Sequence, residues 1–170
     1  MSEFDLTPQD DAAIADLLRA CFDTDFGGRS YFVQRHQLWF IARNQGQIVG
    51  HLGLTIRDIR VNDTLVTIAG VGDVATAPDS RCAGIAAQLL DRAIAAARTS
   101  LAEFMLLYGD AGLYPAAGFR PANNPGRFVN MDGATTQSIQ TAPQNDLMVL
   151  AIGTTDWDDN AALDLMGHLF

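Results

Sequence analysis

The sequence contains no lysine, and its charge is strongly one-sided. Its 170 residues carry 20 acidic side chains against 11 basic ones, all arginine, which gives a formal net charge of -9. The sequence pI is about 4.5. General nucleic-acid binding and adhesion to an anionic membrane both require a basic face. The composition therefore disfavours both partners and is better suited to a cationic small molecule.

Cysteines and long hydrophobic runs are also scarce. Cys21 and Cys82 are the only cysteines, which excludes a disulfide framework and favours a reducing compartment. Residues 1–5 lack the basic and apolar regions of a signal peptide, and no apolar run approaches the roughly 18 residues of a membrane span. We therefore expect a cytoplasmic protein. The three histidines show no ligand spacing with each other or with the cysteines, so we expect no metal site.

The hydrophobic content is 48%, enough for a single folded domain spanning residues 1–170. Sequence periodicity predicts helices over 8–22, 30–37, 84–98, 112–117 and 160–167. It predicts strands over 38–43, 48–59, 65–76, 104–108, 127–131 and 147–152, another from Phe119, and a polar loop over 134–145. A strand, a helix and a strand between 65 and 108 imply one parallel, right-handed crossover. The predicted fold class is α/β (α+β), with a mixed sheet that is antiparallel at its start.

A possible anion site follows the strand that ends at Thr76. A polar turn leads into a helix that begins at Gly84 among small residues. A helix start presents unpaired N–H groups and the positive end of the helix dipole, and small residues let a phosphate approach the backbone. Arg81 would add a guanidinium group to the same anion. These features suit a diphosphate cradle, although the same small residues would also permit tight packing of the helix on the sheet.

Two motifs in this region resemble those of the GNAT superfamily of acyl-CoA-dependent N-acetyltransferases. Arg81-Cys82-Ala83-Gly84-Ile85-Ala86 is similar to the superfamily's pyrophosphate loop, and Val74-Ala75-Thr76 stands where that family has the end of a strand. Tyr114-Pro115-Ala116-Ala117-Gly118-Phe119 matches the family's Tyr-x-x-x-Gly-Phe motif. The resemblance covers about residues 6–121. It implies a mixed, mostly antiparallel central sheet with a splayed parallel pair and flanking helices.

The resemblance also implies acetyl-CoA as co-substrate. The backbone of the strand end would pair with the pantetheine arm, and the following amides would hold the pyrophosphate. A bulge near Gly72 would free an N–H group to polarise the thioester carbonyl. The implied cofactor-binding residues are Val74, Ala75, Thr76, Arg81, Cys82, Ala83, Gly84, Ile85, Ala86, Ala87 and Tyr114. Cys82 departs from the family, which usually has Arg or Lys at this position, so one charged phosphate contact is lost.

Within this resemblance, a neutral amine attacks the thioester directly and needs an acid and a base. Tyr114 matches the usual acid, because a phenol can protonate a departing thiolate. The base is open between Asp73, on the strand that lines the cleft, and the terminal carboxylate of Phe170. Residues 156–170 resemble the ends of some aminoglycoside-acetylating relatives and, more faintly, of nodulation acyltransferases. Asp156, Asp158 and Asp159 would cap the helix predicted at 160–167 or attract a cationic acceptor.

The predicted function is transfer of an acetyl group from acetyl-CoA to a primary amine of a small molecule, with an aminoglycoside-like polyamine as one option. Two alternatives stay open. One is O-acyl or long-chain acyl transfer on the same fold, and the other is a catalytically silent domain that binds acyl-CoA. A homodimer is common in the family and is an expectation here.

Overall fold

The computed structural model describes residues 1–109 and 112–170. The helices in this part of the chain are α1 (Pro8–Cys21), α2 (Ile85–Ala97) and α3 (Leu113–Ala116). The strands are β1 (Leu38–Asn44), β2 (Gln47–Val61), β3 (Thr64–Thr76), β4 (Phe104–Tyr108), β5 (Arg120–Ala122), β6 (Pro125–Asp132), β7 (Thr135–Pro143), β8 (Leu147–Ala151) and β9 (Leu163–His168). No helix in these two ranges has the length and apolar content that a membrane crossing requires.

The strands form one mixed sheet in the order β5-β8-β4-β3-β2-β9-β6-β7, and β1 also pairs with β2. β1, β2 and β3 make the antiparallel meander that the sequence predicts. β3 and β4 are parallel and are connected through α2, which confirms the predicted parallel pairing across a helix. A second parallel pair, β6 and β9, was not expected from the sequence. The other pairs are antiparallel.

The two long helices cover parts of the sheet with their apolar faces. α1 begins at Thr7, whose hydroxyl accepts a hydrogen bond from the N–H of Asp10 at 3.1 Å, with Pro8 in the first turn. α2 buries Leu89, Leu90, Ala93, Ile94 and Ala97. These side chains share a core with Leu54, Val71 and Met105 of the sheet. The opposite face of the sheet has its own core, which includes Ile68, Leu106, Val149, Trp157 and Leu163.

The helix predicted over residues 30–37 is absent, and this segment is a series of bends. Long-range contacts, rather than the hydrogen bonds of a helix, hold this segment. The N–H of Phe32 donates to the carboxylate of Asp73 at 3.1 Å, and Arg35 donates to Asp11 at 2.9 Å. Tertiary contacts of this kind outweigh the weak helix propensity of a short segment.

Two further predictions at the C-terminal side are wrong. The polar stretch 134–145 contains the edge strand β7 rather than only a loop, because Thr and Gln suit a strand whose side chains face water. Residues 160–167 contain β9 in place of a helix, since this segment pairs with β2 and β6. The aspartates before it therefore cap no helix. Asp158 instead accepts a hydrogen bond from the N–H of Asn160, and Asp159 pairs with Arg120.

Candidate active site

A β-bulge interrupts β3 at the middle of the sheet. Gly72 pairs with Gly53 and Ala75 pairs with His51, so two residues of β3 lie opposite a single residue of β2. Asp73, the first of the two, has a φ of 54°. An extra residue in a strand leaves backbone groups outside the ladder. The bulge that the sequence predicts near Gly72 is therefore present.

The parallel strands β3 and β4 part at the same level. Their last paired residues are Val71 and Leu107. Beyond this point β3 follows β2 as far as Thr76, while β4 stays with β8 and the N–H of Gly109 donates to the carbonyl of Asp146 at 3.0 Å. The β4-facing edge of β3 has no strand partner in the described chain after Val71. An extended ligand could pair with this edge as an added strand.

Helix α2 begins beside the end of β3. A Cβ placed on Gly50, which pairs with Thr76, would lie 2.5 Å from the side chain of Ile85, so the first turn of α2 packs directly on this strand pair. Gly84 caps the helix with a φ of 72°, and Cys82 also has a positive φ of 63°. Glycine adopts this left-handed conformation without the steric cost that other residues incur.

The turn before the helix is open to solvent. The residues from Arg81 to Gly84 are all exposed. The first N–H groups of α2 have no partner within the helix, and the helix dipole adds partial positive charge there. The segment that the sequence predicts as a phosphate cradle therefore combines an accessible backbone with a nearby guanidinium group.

Buried polar groups surround the bulge. Nε2 of His36 lies 2.9 Å from Oδ2 of Asp73, and the exposed fractions of the two side chains are 6% and 9%. The same carboxylate accepts the N–H of Phe32 at 3.1 Å. On the opposite side of the His36 ring, Nδ1 lies 3.3 Å from the hydroxyl of Thr55. The carboxylate of Asp73 is thus held in one orientation.

His51 fixes the backbone of the bulge from the adjacent strand. Its Nδ1 lies 2.8 Å from the carbonyl oxygen of Asp73. Burial lowers the pKa of His51 from 6.5 to about 4, so the imidazole is neutral at pH 7. A carbonyl only accepts, so Nδ1 carries the proton and donates it. Sequence reasoning considered His36 and His51 only as metal ligands. A sequence signal for His36 was Gly53, because a glycine inside a strand can mark a close approach of another group to the backbone, here the His36 ring.

Tyr114 lies at the other side of the opening, on α3. Its side chain is 8% exposed and its ring packs on Phe119 with centroids 6.1 Å apart. A Cβ on Gly109 would lie 3.1 Å from the Tyr114 ring and 3.8 Å from its hydroxyl oxygen. The hydroxyl therefore lies near the end of β4, next to the point where the two parallel strands part.

Phe170 reaches the bulge from the C-terminal side. Its ring lies over Gly70, 4.5 Å from the Arg57 guanidinium and 5.5 Å from the Tyr108 ring. Its carboxyl carbon would lie 3.3 Å from a Cβ on Gly72. Both candidates for the base, Asp73 and Phe170, are therefore at the same bulge.

A cavity and a small cleft lie on this face of the sheet. The cavity has a volume of about 310 Å³ and is lined mainly by aromatic and aliphatic side chains. The cleft has a volume of about 20 Å³ and reaches His36, Thr55 and Asp73. Phe32 and Phe170 are among the walls that the two spaces share. Among the described residues, His, Cys, Asp and Glu side chains form no group of three that could hold a metal ion.

A splayed parallel pair, a bulge at the opening and a glycine-capped helix beside it place an open strand edge next to a helix N-terminus. A family model described as an acetyltransferase (GNAT) domain matches residues 5–122. The chain therefore belongs to the GNAT acetyltransferase family. No curated protein matches it.

Solved structures share the fold at low sequence identity. A GNAT family N-acetyltransferase from Escherichia coli in complex with CoA has a TM-score of 0.65 and 19% identity, over 94% of this chain and 86% of that one. A GNAT family acetyltransferase from Brucella melitensis in complex with acetyl-CoA has a TM-score of 0.61 and 20% identity, over 92% and 91%. The ribosomal-protein-S18-alanine N-acetyltransferase from Escherichia coli has a TM-score of 0.59 and 20% identity, over 92% and 94%.

Proposed function

We propose that this chain transfers the acetyl group of acetyl-CoA to a primary amine of a small molecule by direct attack. The observation that carries the proposal is the opening between β3 and β4 at the bulge of Asp73, with the glycine-capped start of α2 at the end of the same strand. Two structures with this fold, cited above, contain acetyl-CoA or CoA. These features support acetyl-CoA as the co-substrate.

Each part of acetyl-CoA has a complementary part of the site. The amides from Arg81 to Ala87 would hold the pyrophosphate, helped by the Arg81 side chain. The open edge of Val74–Thr76 would pair with the pantetheine arm. The acetyl group would then lie at the bulge, where a backbone N–H released from the ladder can stabilise charge on the thioester oxygen.

Tyr114 is the acid in this proposal and would protonate the thiolate as the tetrahedral intermediate collapses. We expect Tyr114→Phe to lower kcat by ~10-fold or more, because one positioned proton donor is lost. The Kd of acetyl-CoA should change little, which calorimetry can measure. Tyr31→Phe is the matched control, since it removes a hydroxyl outside the opening and keeps the ring that Arg35 lies over at 5.2 Å. An unchanged kcat in Tyr114→Phe would remove this role.

Asp73 is the first choice for the base, because a buried carboxylate at the bulge can take the ammonium proton directly or through a water molecule. His36 acts on it as a positioning residue, since its Nε2–H donates to the carboxylate. We expect Asp73→Asn to lower kcat by ~100-fold, because the amide keeps the shape and cannot accept the proton. If Asp73→Asn retains full activity and a short extension after Phe170 abolishes it, the terminal carboxylate is the base.

The function as a whole is tested by CoA release from acetyl-CoA in the presence of a panel of amines, with acetyl-CoA binding measured in parallel by calorimetry. Binding together with amine-dependent release is the expected result. Binding without release for any amine would support a domain that only binds acyl-CoA. Absence of binding would overturn the proposal.

A further inference from the structure

The cavity next to the bulge differs from the surface of the molecule in its chemistry. Phe32, Phe128 and Met131 are among its apolar walls. Within the described residues, Asp146 is the only acidic side chain that lines it, and this residue is exposed. His168 also lines it, and burial lowers the pKa of this imidazole, which favours the neutral form. Apart from these groups, Asn130 and the terminal carboxylate of Phe170 at the bulge, the wall is made of aromatic and aliphatic side chains.

The tyrosine in the wall also presents apolar surface. The hydroxyl of Tyr108 donates to Oε1 of Gln144 at 2.8 Å, so its proton is already used in a hydrogen bond within the protein and is not offered to a ligand. Burial raises the pKa of this phenol, which therefore stays neutral. The ring of Phe170 lies 5.5 Å from the Tyr108 ring. Two aromatic rings in contact make a surface on which a third ring can pack.

The cavity adjoins the small cleft at the proposed catalytic groups. The cleft at Asp73 and His36 shares Phe32, Leu169 and Phe170 with the cavity. Its volume of about 20 Å³ is close to the space that one water molecule needs. A single amino nitrogen can enter this cleft, whereas a ring cannot. The rest of the acceptor would then lie in the larger cavity.

We infer that the acceptor is a primary amine on an aromatic or otherwise apolar body, such as an arylalkylamine. This inference rests on the proposed function and names the substrate class for the same site. The cavity volume of about 310 Å³ is at the lower end of the range for small-molecule sites, roughly 300–1,000 Å³, which suits a molecule of one or two rings.

Charge separates this class from polyamines. A second ammonium group packed on the aromatic and aliphatic part of the wall, away from Asp146 and the Phe170 carboxylate, would lose its hydration, and burying an unpaired charge is unfavourable. The net charge of -9 attracts any cation towards the protein. The wall of the cavity then selects, among cations, those with a single charged end and an apolar remainder.

The test compares 2-phenylethylamine, ethylamine and spermidine in the full chain, at saturating acetyl-CoA. We expect kcat/KM for 2-phenylethylamine to exceed the other two by ~10- to 100-fold, since apolar pockets discriminate by this order. Binding of each amine to the CoA-saturated protein is measured separately by calorimetry. This arm reports on the cavity even if no amine is acetylated, so failure of the chemistry is distinguishable from failure of the inference.

Met131→Asp is the variant, because Met131 lines the cavity near the end of β6. Thr136→Asp is the matched control: Thr136 is the exposed partner of Met131 on β7 and does not line the cavity. We expect Met131→Asp to weaken binding of 2-phenylethylamine by ~10-fold or more and to leave spermidine unchanged or tighter, since the new carboxylate favours a second cation. Thermal unfolding checks that both variants are folded.

Three outcomes would overturn the inference. One is binding of spermidine at least as tight as that of 2-phenylethylamine, and another is absence of binding for every amine. The third is a higher kcat/KM for octanoyl-CoA than for acetyl-CoA that Met131→Asp abolishes, because the cavity would then hold the acyl chain.

Discussion

The close approach of His36 to Gly53 makes one substitution a direct test of the site geometry. A Cβ on Gly53 would lie 2.2–2.4 Å from three atoms of the His36 imidazole. The ring is buried and cannot swing into solvent. Gly53→Ala must therefore displace the imidazole from the 2.9 Å contact with Asp73. The φ of Gly53 lies outside the left-handed region, so alanine adds no backbone strain and the clash is the only direct effect.

The expected loss of stability has two parts. Overpacking of a well-filled core costs about 1–3 kcal/mol. Loss of the hydrogen bond between His36 and Asp73 costs about 1 kcal/mol more. Gly53→Ala should therefore lower the free energy of unfolding by about 2–4 kcal/mol, the sum of these two contributions. The displaced imidazole also releases the carboxylate of Asp73, so kcat should fall at an acetyl-CoA concentration that saturates the protein.

Urea unfolding and steady-state CoA release measure the two effects in the same preparations. Gly112→Ala is the control for stability, because nothing lies within 4 Å of a Cβ at this position. Its φ of -59° also suits alanine. We expect the control to stay within about 0.5 kcal/mol of the parent protein, the usual range for a neutral surface change. A Gly53→Ala variant as stable as the parent and with an unchanged kcat would refute the described packing of His36.

Two further predictions concern buried polar groups. Because the pKa of His51 is about 4 when folded and 6.5 in the ordinary state, the unfolded chain binds more protons between these values, so the free energy of unfolding should fall as the pH drops from about 6.5 to about 4. His51→Leu should flatten this slope in urea titrations at pH 7 and pH 5 and leave a smaller slope to which His168, whose pKa burial also lowers, contributes. An unchanged slope would contradict the assignment to His51. Trp157→Phe should destabilise the protein by about 1–3 kcal/mol, because the indole N–H that donates to Asn124 at 2.9 Å is lost and leaves a buried acceptor unpaired. Equilibrium unfolding measures this loss, and equal stability of the two proteins would show that water replaces the indole.

The local structure of the segment proposed to hold the cofactor could be predicted because its signals are local. A strand end, a polar turn and a glycine-capped helix lie within the short stretch from Val74 to Ala87, and each is encoded by the residues that form it. Gly84 adopts a left-handed conformation, which glycine permits without steric cost whatever its distant neighbours are. The bulge near Gly72 was also expected, because glycines inside a strand weaken its regular ladder.

The polar network at the bulge could not be predicted in the same way. His36 is in a segment whose sequence suggests a helix, and its position depends on contacts with Asp73, which is 37 residues away along the chain. The contact of His51 with the Asp73 carbonyl cannot be predicted until the register of β2 against β3 is known. A shift of one residue in that register would turn His51 to the opposite face of the sheet.

The C-terminal strand shows why the acceptor side depends on structure rather than on motifs. Residues 160–167 have a composition that favours a helix, yet Leu163 and Asp164 pair with both β2 and β6. This pairing carries the chain on to Phe170, which covers Gly70 and lines both the cavity and the cleft. A change of register in β9 would move these walls and leave the cofactor cradle untouched. In the proposed site, acceptor specificity could therefore change independently of acetyl-CoA binding, because the cavity walls and the proposed cradle are built from different parts of the chain.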